Sequence, residues 1–146
     1  MSVEQERGAG YDLSLRIWHP DLEPDLISRE LGLDMTAGWA VGTPRYTVTG
    51  ESLAPHESTY WTSRFRSGSE GDLTTYVREL CIYLEPRLPF LREIQATNGR
   101  VEFFVGWFVD SHSGTTLGHA DLAVLSRMGV DLALDVYGAA PATMSS

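Results

Sequence analysis

A chain of 146 residues with 20 acidic and 11 basic side chains carries a formal net charge of −9, and its length suits one domain. Every basic residue is arginine, which excludes a P-loop phosphate clamp, a cofactor Schiff base and a Ser-x-x-Lys nucleophile; the lone Cys81 excludes an internal disulfide and a multi-cysteine zinc site. The negative charge removes the usual drive toward nucleic acid and anionic membranes, and it favours a basic protein as partner.

Residues 1–10 and 138–146 read as disordered tails around a single domain at 11–137. The polar start offers no signal-peptide core and no apolar run reaches membrane-spanning length, so the cytoplasm is the expected location. A first strand alternates Tyr11, Leu13, Leu15 and Ile17 with Asp12, Ser14, Arg16 and Trp18, and Pro20 stops it. Pro24 opens a helix that carries Leu22, Leu26, Ile27 and Leu31 on one side, and Gly32 ends it.

The 40–49 segment, with Gly42 and Pro44, predicts an edge strand, and Tyr60 to Arg66 predicts a second strand with Trp61, Ser63 and Phe65 on one side. Asp72 caps a long helix whose stripe runs from Leu73 to Ile94, with a kink or break at Pro86 and Pro89. VEFFVGWFV (101–109) is apolar on nearly every position, as an interior strand is. A third helix spans Ala120 to Met128 and ends at Gly129. The last strand points Val130, Leu132, Leu134 and Val136 inward, and Asp131, Asp135 and Tyr137 outward. These elements predict an α+β fold. Its sheet is mostly antiparallel with helices on one face, in a ferredoxin-like start (β-α-β-β-α-β) extended by a helix and a strand.

Leu22-x-Pro24-x-x-Ile27-Ser28-x-x-Leu31-Gly32-Leu33, Trp39, Gly42-Thr43-Pro44-Arg45, Trp61, LCIYLEPRLPFLREI (80–94) and Leu134-Asp135-Val136-Tyr137 cover about 11–137. This set resembles the bacterial domain-of-unknown-function family 4279 (DUF4279). The resemblance implies no established activity and transfers no site residue. Some relatives look like immunity proteins, which implies a partner-binding role. Read structurally, the same positions open and close a helix (Pro24, Gly32) and fill core (Trp39, Trp61).

No catalytic, cofactor or metal set stands out. There is no Gly-x-Ser-x-Gly elbow, Cys81 lies near an apolar stripe as an inert thiol does, and Gly8-Ala9-Gly10 precedes a strand where a dinucleotide fingerprint follows one. His19 with Asp21, and Asp110 with His112 and His119, lack metal-ligand spacing. The informative feature is the sheet face turned away from the helices. Strand parity places Arg16, Trp18, Tyr60, Arg64, Arg66, Phe104, Phe108, Asp135 and Tyr137 there, a mixture of the kind enriched at protein interfaces. The leading expectation is a non-catalytic protein-binding module using that face. The alternatives are a ligand pocket or hydrolytic site near His19, Asp110 and His112 at the sheet ends, and a homodimer joined through the sheet.

Overall fold

The computed structural model describes residues 10–68, 71–109 and 112–138. The chain runs β1 (Gly10–His19), α1 (Pro24–Leu31), β2 (Ala37–Trp39), β3 (Arg45–Tyr46), β4 (Ser52–Leu53), β5 (Thr59–Gly68), α2 (Leu73–Leu84), α3 (Leu88–Ala96), β6 (Arg100–Phe108), α4 (His119–Met128) and β7 (Val130–Tyr137). Five strands form one sheet in the order β2-β5-β1-β6-β7, and β3 and β4 pair as a separate hairpin. All pairings in the large sheet are antiparallel except β6–β7, which α4 joins as a parallel crossover. The fold is α+β, with its helices packed against the sheet.

The predicted inward residues of β1 (Leu13, Leu15 and Ile17) are fully buried beside Trp61, Val101, Phe103 and Val105. Ile27, Leu31, Val77, Leu80, Leu84, Leu91, Ile94 and Leu125 cover them from the helices, so one face of the sheet carries the core. Period-two strands facing period-3.6 stripes produce that layer. The Trp61 indole N–H donates to Ser28 Oγ at 2.9 Å, fixing α1 over β5. Pro86 falls in a single 3-10 turn, Glu85–Arg87, and Pro89 in the first turn of α3, so the long stripe is broken into two helices. Gly32 and Gly129, both left-handed, end α1 and α4.

Four expectations are corrected. The edge strand is β2 at Ala37–Trp39, and the 40–49 segment contributes instead to the β3–β4 hairpin. Gly10 already belongs to β1; the rest of the predicted tails, apart from Gly138, lies outside the described residues. Leu134 and Val136 share the helix-side parity of the buried Val130 but are 51% and 56% exposed, so parity gives them their face without burying them. Arg66 does not face outward: the β1–β5 register slips between Leu13 and Ser14, so β5 accommodates an extra residue at Phe65. Beyond that bulge the strand's parity is reversed, and Arg66 Nε reaches Glu79 of α2 at 2.9 Å.

Candidate functional site

The face of the sheet opposite the helices is built from transverse rows of paired residues. Thr62, Arg16, Glu102 and Asp131 form one row; Tyr60, Trp18 and Arg100 form the next. The Arg16 guanidinium is ringed by aromatics, its carbon lying 4.4 Å from the Phe104 centroid, 5.1 Å from Trp18 and 5.6 Å from Tyr60. Arg100 lies 3.9 Å from the Trp18 ring. Between the two arginines sits Glu102, only 8% exposed on an otherwise open face. Its Oε2 accepts from Arg100 Nη1 at 3.3 Å, and its Oε1 lies 3.5 Å from Arg16 Nε. Arginine suits this position because its planar group stacks on rings while its edge meets a carboxylate.

The aromatic surface continues toward the sheet edge. Trp18 and Tyr60 lie 5.3 Å apart, Tyr60 and Trp39 5.0 Å, and Trp39 stacks on His56 at 4.0 Å. Desolvation, aided by the Arg45 charge, lowers the His56 pKa below its ordinary value, which favours the neutral ring against Trp39. Trp39 therefore belongs to this surface and does not fill core, as the sequence had suggested. At the opposite corner Phe108 and Tyr137 stack at 4.9 Å, and the Tyr137 hydroxyl donates to Asp135 at 2.8 Å. That bond, then burial and the charges of Asp135 and Asp12, raise the Tyr137 pKa.

Of the nine residues singled out by sequence, Arg16, Trp18, Tyr60 and Phe104 converge in one cluster. Arg64 is exposed one row away, opposite Ser14. Phe108, Asp135 and Tyr137 form the second cluster, and Arg66 has left the face. Arg100, Trp39 and His56 were missed as candidates. Arg100 shares the even-numbered parity of Glu102 and Phe104, so starting the strand one residue earlier would have found it. The last two are brought in by β2 and the loop before β5, which carry no periodic signal.

The chain matches the family described as Domain of unknown function (DUF4279) over residues 9–139. It belongs to that family. No curated protein matches it in sequence. In this DUF4279 domain the alternative pocket residues do not converge. His19 ends β1 beside the start of β6, whereas His112 follows the other end of β6, a strand that itself spans about 27 Å; Asp110 lies outside the described residues. His19 is also consumed by packing: it is 3% exposed and both of its ring nitrogens are hydrogen-bonded, Nδ1 to the N–H groups of Asp21 and Leu22 and Nε2 to Thr97 Oγ1. Burial, with the charges of Asp121 and Glu85, pushes the Cys81 thiol up to about 11, which keeps it protonated at neutral pH. Among the described residues no helix is long and apolar enough to cross a membrane, and no group of three or more His, Cys, Asp or Glu is placed to hold a metal ion.

Proposed function

We propose that this DUF4279 domain is a protein-binding module whose contact surface is the outer face of the sheet, centred on Arg16, Trp18, Tyr60 and Phe104. The observation that carries this reading is the Arg16 guanidinium held among three rings on the face that the helices leave bare. Aromatic and arginine side chains dominate the binding energy of protein interfaces, and here they are pre-ordered by mutual stacking, which lowers the entropy lost on association. The net charge of −9 supports a basic partner, since the field of the whole chain would speed such an encounter. An immunity-like role, in which the domain caps another protein, fits the same surface.

The test uses the immobilised chain and its Arg16→Glu/Tyr60→Ala variant to capture proteins from a lysate of the encoding organism, followed by calorimetric titration of each purified candidate. A partner of the face binds the wild type and loses at least about tenfold in affinity with the variant, a difference of about 1.4 kcal/mol. Equal affinities for the two proteins would overturn the assignment.

A further inference from the structure

Resting on the outer-face reading, we infer the chemistry of the segment that face receives: a proline-rich stretch in the polyproline II conformation, laid across the strands over Trp39, Tyr60 and Trp18, with a basic residue beyond Trp18. Trp39, Tyr60, Trp18 and Arg100 are successive register partners on β2, β5, β1 and β6, so they form one row perpendicular to the strands. The ring centroids along it are separated by 5.0 and 5.3 Å, close to one strand spacing. Trp39 and Trp18 therefore stand two strands apart, about 9.6 Å. A polyproline II helix repeats every three residues, over about 9.3 Å. Residues i and i+3 of such a helix would meet Trp39 and Trp18 in step, with Tyr60 between them.

Hydrogen-bond polarity selects proline over other extended segments. Among the described residues the Trp18 indole N–H, the Tyr60 hydroxyl and the Arg16 Nη groups make no hydrogen bond, and none of these atoms is buried. All of them donate, and the row's one free acceptor is the same Tyr60 oxygen. A proline carries a backbone carbonyl and no N–H, and its ring lies against aromatic faces. An ordinary extended segment would bring N–H groups that the row leaves unmatched. The polyproline II helix is also preformed, so little conformational freedom is lost on docking. Charge places the basic residue. Beside Trp18 opens a recess of about 610 Å3 with exposed Glu57 on its wall, and Glu57 makes no ion pair among the described residues. Arg100, on the same wall, is already matched by Glu102 and Asp131.

Calorimetric titration of the full chain with synthetic Pro-Pro-x repeat peptides tests this, with Leu, Gln or Arg at x and arginine at both ends. Controls replace every proline with alanine, or the terminal arginines with glutamate. At least one proline peptide should bind about tenfold or more tightly than its alanine control, and arginine ends should be preferred over glutamate ends. Trp18→Phe and Tyr60→Phe keep the rings and remove one donor each, so each should weaken binding about threefold to tenfold at an unchanged melting temperature. Glu57→Gln should remove the preference for arginine ends. No proline peptide exceeding its alanine control would overturn the proline assignment, as would binding of a cello-oligosaccharide at these residues in place of every proline peptide. Proline binding indifferent to both W18F and Y60F overturns it as well. If a captured partner is lost by Arg16→Glu/Tyr60→Ala but contacts the chain through a segment without prolines, the proline assignment fails while the outer-face reading stands. If proline peptides bind the wild type and that double variant alike, both fail.

Discussion

Arg16 Nε lies 3.5 Å from Glu102 Oε1, and although both atoms are buried neither makes a hydrogen bond there. The two residues are register partners on β1 and β6, so the contact is set by the backbone. It is an ion pair without hydrogen-bond geometry, flanked by three aromatic rings. The stacking of Trp18, Tyr60 and Phe104 on the guanidinium positions Arg16, and Glu102 compensates its charge. Arg100 holds the other carboxylate oxygen, which makes Glu102 the keystone of the outer face.

Removing that keystone should therefore cost more than removing an ordinary surface carboxylate. Glu102→Leu leaves Arg16 under the rings with its nearest counter-charge gone, and should destabilise the fold by about 1–3 kcal/mol in urea unfolding. The double variant Arg16→Met/Glu102→Leu replaces both partners with apolar groups, and should be no less stable than Glu102→Leu alone. A double variant less stable by the full sum of the two single losses would mean that the pair is not coupled.

On the helix side, Arg78 Nε and Nη2 donate to the two carboxylate oxygens of Asp121 at 2.7 and 3.1 Å, joining α2 to α4. Those hydrogen bonds hold the Asp121 carboxyl below its ordinary value; burial opposes this, and the Arg78 charge and the Gly118 N–H assist. A carboxyl whose folded-state value is depressed stabilises the fold fully above the unfolded carboxylate range, and loses that contribution as pH falls through the folded value. Asp121→Asn should thus lower the melting temperature at neutral pH and flatten its decline on the acid side. Equal melting curves for variant and wild type at neutral pH, with parallel declines in acid, would remove the pair from the stability of the domain.

The elements with strong periods were legible in the sequence. β1, α1, α4 and the broken α2–α3 stripe follow from alternation, helical spacing, Pro24, Pro86, Pro89 and the two terminal glycines. Arg66 was misplaced because a bulge is a property of two strands: β5 gains its extra residue only against β1, and nothing in Thr59–Gly68 alone announces it. β2 escaped because three residues carry no period, and its placement depends on Gly38. That glycine has φ +147°, and a Cβ there would collide with the Tyr60 carbonyl oxygen. Trp39 reaches the outer face through this backbone approach. Leu134 and Val136 carry the right alternation for burial, but alternation records parity and not the extent of the helix that should cover it.

The bulge separates two arginines that sequence parity treats alike. Arg64 is exposed on the outer face, whereas Arg66 pairs with Glu79 with both side chains nearly half exposed. Arg66→Glu should leave partner affinity unchanged within about twofold and lower stability by about 1 kcal/mol at most, as exposed pairs do. Arg64→Glu should weaken partner binding, and calorimetric titration of both variants compares them directly. A larger binding loss for Arg66→Glu would place the contact surface on the helix side.

The hydrogen bonds of His19 specify its tautomer. The backbone N–H groups of Asp21 and Leu22 both point at Nδ1, each at 3.1 Å, so that nitrogen accepts and carries no proton. Nε2 must then hold the proton and donate to Thr97 Oγ1 at 2.7 Å, while that hydroxyl donates to the Glu93 carbonyl at 2.7 Å. Asp21 Oδ1 also lies 3.3 Å from Nδ1, but its side chain is 83% exposed, and protonating Nδ1 in its favour would sacrifice both backbone bonds. Nitrogen-detected NMR should show the Nε2-protonated tautomer of the neutral ring. His19→Ala should cost about 2–4 kcal/mol, since it opens a cavity at a buried side chain and removes the acceptor of two part-buried backbone N–H groups where β1 turns into α1. An Nδ1-protonated signal would contradict this network.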